Sequence, residues 1–287
     1  MSDRIIIKNT TSEANLGNIQ PEDVLNGEML LLRETDKESL YCKNTNNEIS
    51  KIHRITNCGG FPSSIVYEAV DLGLPSGLLW ANKNIGASTE EDAGLYFQWG
   101  DTQGYTAEQI GVDKQFNSNW TDYKWGIDSN FTKYNSTDGL VILETADDAA
   151  SQIMGSDWKM PTMKDFQELV SNTDIYFIST DDSEVQATYR GDVNDRFTFP
   201  MQDTMKGMKF YNKSDHFKYI FISASGYVID GSIQSNLVYC KLWSSSFYEN
   251  NVGYAWRFYF GAPGGSGNVL NDNRYYGFPI RAVKSQQ

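Results

Sequence analysis

Cysteine, histidine and paired carboxylates are the residues of this chain able to do covalent or acid–base chemistry. Cys42, Cys58 and Cys240 form no CxxC and are odd in number, so they are no disulfide framework, although one bond stays open. Cys240 sits in the strand-like Val238-Tyr239-Cys240-Lys241-Leu242, where a lone thiol reads as a small buried hydrophobe. His53 and His216 are too few for a poly-histidine metal site and lie in no metal-ligand spacing; either could serve as a base, and a structural role is the simpler reading. Glu90-Glu91-Asp92, Asp147-Asp148 and Asp181-Asp182 invite a glycosidase reading. Hydrolysis needs two carboxylates facing each other across a bond, and adjacency in sequence does not supply that. Each pair reads instead as a solvated loop or a helix N-terminus, where the dipole favours negative charge. Asn271-Asp272-Asn273 offers oxygens to a hard cation, though an Asn/Asp turn explains it more simply.

The elements that would hold these residues are mostly strands. Short apolar runs at Arg4–Lys8, Glu28–Arg33, Ser39–Lys43 and Glu48–Ile52 predict a small β-meander. A segment of this size carries few large apolar groups, so it is expected to lean on a neighbour, on copies of itself or on a larger assembly. Thr56-Asn57-Cys58-Gly59-Gly60-Phe61-Pro62-Ser63-Ser64 reads as a linker. The organisation is therefore residues 1–56 as a β-rich segment, 57–65 as linker and 66–287 as one larger domain.

Two helices stand out in that domain. One covers about 145–154, with Asp147 or Thr145 as its cap. The other runs from Pro161-Thr162 to about Ser171, with Thr162 as N-cap, Asp165 three residues on, and an apolar stripe of Met163, Phe166, Leu169 and Val170. Strands are predicted at Tyr219–Ser223, Tyr227–Asp230, Leu237–Trp243, Tyr254–Phe260 and Phe278–Val283. The fold class is α+β with strands dominating.

Residues 242–281 carry eleven of the chain's aromatic residues and only five charges, amid frequent Gly and Asn. Tyr, Trp, Ser, Asn and Gly together give rigid flat contact area and adaptable hydrogen bonding, the chemistry of a recognition surface. Alternation in Tyr254–Phe260 assigns Tyr254, Trp256, Phe258 and Phe260 to a core face, leaving Arg257 and Tyr259 as surface candidates. Asn271, Asn273, Arg274 and Tyr275 are polar or amphipathic and lie near a predicted turn, where ligand contacts concentrate.

Composition narrows the classes further. A formal net charge of −13 lacks the basic footprint that phosphate neutralisation needs, so no nucleic-acid partner is expected. An aromatic content of 14% argues against general disorder. The opening MSDRIIIKNTTSE holds too short an apolar run for a secretory signal, and no stretch is apolar enough to span a bilayer. The expectation is a soluble protein made in a cytoplasm, without membrane insertion.

Six phrases occur in order: Val70–Ala81 (VDLGLPSGLLWA), Tyr96–Asp101 (YFQWGD), Gly155–Thr162 (GSDWKMPT), Ser223–Tyr227 (SASGY), Leu242–Ser246 (LWSSS) and Tyr275–Val283 (YYGFPIRAV). This series resembles a C-type-lectin-like domain of the branch shared by formylglycine-generating-enzyme-like proteins and the variable proteins of diversity-generating retroelements, and it covers about residues 66–284. Such domains occur in gut bacteria and their phages. The N-terminal pattern, Asn26–Leu32, then Leu40-Tyr41, then Ile49–Ile52, is similar to that of phage head- and tail-fibre proteins.

Together the resemblances imply a virion fibre or decoration protein, usually a homotrimer. Its N-terminus would meet a capsid or tail protein, and its lectin-like domain a host-surface glycan or protein. A bacterial cell-surface adhesin, or a purely structural capsid decoration protein, is the alternative. Retroelement diversification would place ligand contacts at Trp243, Ser245, Phe247, Tyr248, Asn250, Asn251, Arg257, Tyr259, Asn268, Asn271, Asn273, Arg274 and Tyr275. Formylglycine generation needs a second cysteine beside Cys240, and the calcium-dependent sugar lectins use EPN or QPD with WND triplets. None of these is present, so an enzyme is disfavoured, no cofactor is expected, and a structural calcium has no motif behind it.

Overall fold

In the computed structural model the chain forms two compact units, Met1–Ser64 and Ile65–Gln287. The residues described are 8–10, 29–34, 37–43 and 49–56, as backbone only, and 65–286 apart from 111–115, 127–129 and 192–194. The linker predicted at 57–65 lies outside them except for Ile65, as does most of the strand predicted at Arg4–Lys8.

In the first unit, β1 (Lys8–Thr10), β2 (Met29–Glu34), β3 (Lys37–Lys43) and β4 (Ile49–Thr56) form one sheet in that order. β2, β3 and β4 are antiparallel neighbours, the meander expected from the short apolar runs, whereas β1 runs parallel to β2.

The second unit is strand-dominated α+β. Its strands are β5 (Ala69–Asp71), β6 (Leu78–Ala81), β7 (Trp158–Lys159), β8 (Thr173–Ile178), β9 (Glu184–Gln186), β10 (Thr188–Tyr189), β11 (Phe197–Thr198), β12 (Gly207–Asn212), β13 (Asp215–Ser223), β14 (Tyr227–Ile229), β15 (Ser232–Gln234), β16 (Tyr239–Phe247), β17 (Tyr254–Gly261), β18 (Ser266–Asn273) and β19 (Val283–Ser285). Its helices are α1 (Ala149–Met154) and α2 (Met163–Asn172). The central sheet has the order β10-β11-β18-β17-β16; a second runs β13-β12-β8-β9, and β14 pairs with β15. The sheet β5-β6-β19-β7 joins the start of the unit to its end, with Val283 opposite Trp80.

Local signals set both helices. Thr162 accepts from the Asp165 amide and Asp165 accepts from the Thr162 amide, the reciprocal box predicted from their spacing. Phe166, Leu169 and Val170 are the buried face, and Phe166 stacks on Phe258 of β17 at 5.1 Å between centroids. The cap of α1 is Asp148, not Asp147 or Thr145: its carboxylate accepts from Ser151, and residues 145–147 form a separate 3-10 turn. The strand predicted at Phe278–Val283 also shortens, because Phe278 bridges to Phe97 alone and continuous pairing begins only at Val283.

Candidate functional site

β16, β17 and β18 place most of the predicted contact residues, and alternation sends them to opposite faces. Residues directly opposite across antiparallel strands share a face. Lys241 pairs with Tyr259, Tyr259 with Asn268, and Ala255 with Asp272, which gathers Lys241, Arg257, Tyr259, Asn268 and Asp272 on one side. Tyr254 pairs with Asn273 and Trp256 with Asn271 on the other.

The first face is covered over Arg257, while Tyr259 and Asn268 on it are half-buried. Asp272 Oδ2 lies 2.8 Å from both Lys241 Nζ and Arg257 Nε, and all three side chains are largely buried. Tyr227 covers Lys241, whose ammonium is 3.8 Å from the ring centroid, and the Tyr259 ring lies 4.8 Å from the Arg257 guanidinium. Burial pulls both cations below their ordinary pKa, against the attraction of Asp272. Arg257 is only 7% exposed, which corrects the expectation that the alternate face of β17 is surface: Tyr227, from the β14–β15 hairpin, and Tyr276 pack over this side of the sheet. Arg257 Nη1 and Asn268 Oδ1 are buried there without a hydrogen-bond partner in the protein.

Four further predicted contacts are also internal. Trp243 is fully buried, stacks on Phe278 at 4.1 Å and donates its indole N–H to the Phe97 carbonyl. Ser245 lies where pairing with β17 is interrupted; its carbonyl accepts from Leu143 and its amide donates to the Pro161 carbonyl, so neighbouring chain encloses it. Phe247 packs against Trp99. Arg274, read from sequence as a turn residue at the surface, is 0% exposed. Its guanidinium donates to Tyr123 Oη, to the carbonyls of Tyr134 and Val252 at 2.8 Å, and to the Lys133 carbonyl at 3.1 Å. Among the described residues no carboxylate pairs with it. Carbonyl dipoles, a phenol and the rings of Trp99, Phe131 and Phe247 surround the charge instead.

Of the remaining predicted residues, Asn251 and Asn273 meet at the far end of the second face, with Tyr248, Asn250 and Tyr275 nearby, while Asn271 is half-buried opposite Trp256. Phe258 and Phe260 of β17 are buried beneath α2, as expected, but Tyr254 and Trp256 extend past it and are only half-buried. There a recess of about 300 Å³ opens, lined by Trp120, Phe131, Asn251, Val252, Gly253, Tyr254 and Asn273. The Tyr275 ring lies against Trp120 at 4.6 Å, and Tyr248 meets Trp256 edge-on at 5.1 Å. Asn250 is the exposed neighbour of Asn251 in the β16–β17 turn. That turn is closed by the Tyr254 amide donating to the Asn251 carbonyl, and by Asn251 Oδ1 accepting from the Gly253 amide. Arg274 holds the assembly from below, since its partners belong to the β16–β17 turn and to the 123–134 loop.

Sequence reasoning missed Trp120, Phe131, Val252 and Gly253 of the recess lining, and assigned a fifth lining residue, Tyr254, to the core. Trp120 and Phe131 lie in a loop without periodicity, and only the aromatic content around Trp120-Thr121-Asp122-Tyr123-Lys124-Trp125 could have marked it.

The carboxylates and histidines weighed for acid–base chemistry take part in local contacts. Asp147 accepts from Lys133 at 2.6 Å, Lys124 at 3.3 Å and Tyr134 Oη at 2.7 Å. Asp92 and Asp181 accept backbone amides within their own loops. His216 pairs with Asp174 at 2.8 Å and stacks on Tyr211; the His53 side chain lies outside the described residues. Asn271-Asp272-Asn273 lies in β18, not in a turn, and alternation directs Asp272 away from Asn271 and Asn273. Among the described residues no three His, Cys, Asp or Glu side chains are grouped to hold a metal ion, and no helix is long and apolar enough to cross a membrane. A second recess of about 360 Å³, lined in part by Asp174, Thr188 and Lys213, contains none of the predicted residues.

No protein-family model matches the chain, and neither a curated protein nor a solved structure matches it significantly.

Proposed function

We propose that the chain is a fibre or decoration protein of a phage virion. Residues 1–56 attach to a capsid or tail protein and assemble the chain as a homotrimer, and the second unit is a C-type-lectin-like domain that presents its recess to a glycan or protein of the host surface. The observation that carries this reading is the convergence on one recess of Asn251 and Asn273, with Tyr275 against its Trp120 wall. All three are among the positions at which the lectin-like resemblance implies ligand contacts. The division of the chain at Ser64 supports a separate role for the N-terminal sheet. The burial of Cys240, which pushes its thiol pKa up, is the observation that counts against a formylglycine-type reading.

Light scattering on the purified chain, with and without residues 1–64, tests the assembly. The expected result is a full-length species near three times 32.5 kDa that becomes monomeric on truncation. A monomer in both forms overturns the fibre reading. A trimer that survives truncation moves assembly to the second unit.

A further inference from the structure

Resting on that reading, we propose that the recess between Trp120 and the β16–β17 turn binds an uncharged sugar residue, with the Trp120 ring as its platform. A sugar presents a C–H face flanked by hydroxyls. It is held best by an aromatic surface beside groups that both donate and accept hydrogen bonds. The recess has this composition: Trp120, Phe131 and Tyr254 supply rings, and Asn251 and Asn273 supply amides. Among the described residues the Asn273 side chain makes no hydrogen bond, and Asn251 uses only Oδ1, on the Gly253 amide, leaving its NH₂ to offer.

Charge selects among ligands. Among the described residues no cation or carboxylate lines the recess, and the chain as a whole carries −13, so an acidic sugar meets no partner among them and an unfavourable field. A quaternary-ammonium ligand gains less from the Phe131 ring, because the Arg274 guanidinium already sits 4.5 Å from its centroid. The volume, about 300 Å³, suits one or two sugar rings better than an extended protein epitope.

Gly253 keeps the space open. A Cβ there would stand 3.5 Å from the edge of the Trp120 ring and 3.3 Å from Asn251 Oδ1. Its φ is not in the left-handed region, so Gly253→Ala keeps the backbone and narrows the recess.

The test uses the full chain, fluorescently labelled, on an array of oligosaccharides ending in neutral hexoses or N-acetylhexosamines, of sialylated and uronylated counterparts, and of phosphocholine. The same chain is applied to a panel of intact bacterial cells. Binding to neutral termini is expected, weakened about fivefold by Asn273→Ala, which removes no intramolecular bond, and about tenfold or more by Trp120→Ala. Gly253→Ala is expected to weaken binding while leaving the melting temperature unchanged. Binding confined to acidic or phosphocholine spots overturns the ligand class. Cell binding that depends on Trp120 and Asn273 without any neutral spot does the same, while leaving host recognition by the recess standing. Cell binding indifferent to all three variants overturns the recess as the site.

Discussion

Arg274 donates from Nη1 to the Val252 carbonyl at 2.8 Å, and this bond fastens the turn that bears Asn251 and Gly253 to the end of β18. The same guanidinium reaches Tyr123, Lys133 and Tyr134, so one buried cation fixes both walls of the recess. The mouth can then be built from loops and still present a single geometry.

Replacing Arg274 by Met should therefore cost stability, because it leaves the carbonyls of Val252, Lys133 and Tyr134 without their donor. At about 1–3 kcal/mol for each buried group left unsatisfied, a total of at least about 3 kcal/mol is expected. For a domain of this size that lowers the melting temperature by roughly 6–12 °C. Arg274→Lys should recover little, since an ammonium cannot reproduce the fork. Differential scanning calorimetry reads the change, and a shift under about 2 °C for Arg274→Met would show that the guanidinium is not the fastening.

Asp147 predicts a dependence on acid. Burial alone would raise its carboxyl, but hydrogen bonds from Lys133 and Tyr134 and the charge of Lys124 outweigh it and hold the group below the ordinary carboxylate value. The folded pKa is thus below the unfolded one, near ~3.9, so the network contributes fully above that value and is lost as pH falls through the folded pKa. Asp147→Asn should be less stable at pH 7 by about 2 kcal/mol and lose less on acidification below about pH 4. Urea denaturation at pH 7 and pH 3 measures both, and equal acid sensitivity in the two proteins would contradict the assignment.

What could be read in the sequence was local. Thr162 and Asp165 form their box three residues apart, and the stripe of α2 buries as its spacing requires, because helix signals need no knowledge of distant chain. Alternation also placed Phe258 and Phe260 correctly in the core. It failed for Arg257 because what covers that face is Tyr227 and Tyr276, remote in sequence from β17. Arg274 was misread for a related reason: a charged residue at the end of a strand is ordinarily solvated, and its partners at 123–134 become visible only once the loop has folded over it. Trp120 was overlooked because it lies outside every periodic segment.

Asp272 holds two cations on the first face of the sheet, which makes its removal more harmful than the removal of either. Asp272→Ala leaves Arg257 buried and unpaired, a change expected to cost about 3–5 kcal/mol. Lys241 can relieve itself by losing a proton, its pKa being already lowered by burial, whereas a guanidinium cannot. The double variant Asp272→Ala with Arg257→Met should accordingly be more stable than Asp272→Ala alone. A double variant as unstable as the single one would mean that the carboxylate acts through Lys241 or through the Asn273 amide that it also accepts.

Cys240 separates recognition from thiol chemistry. It lies in β16 opposite Phe260, within the cluster that includes Leu242, Phe258 and Ala262, and is 0% exposed. Burial drives its pKa upward, so at neutral pH the thiolate that alkylation or metal binding requires is scarcely formed, and the sulfur is out of reach of a reagent. Peptide-resolved mass spectrometry after iodoacetamide at pH 8 should find Cys240 unmodified in the native chain and fully modified in urea. Cys240→Ala should fold with a loss of about 1 kcal/mol and keep full binding to whatever surface the recess recognises. Rapid native alkylation, or binding abolished by this substitution in a protein that melts normally, would show a reactive thiol and support an enzyme reading.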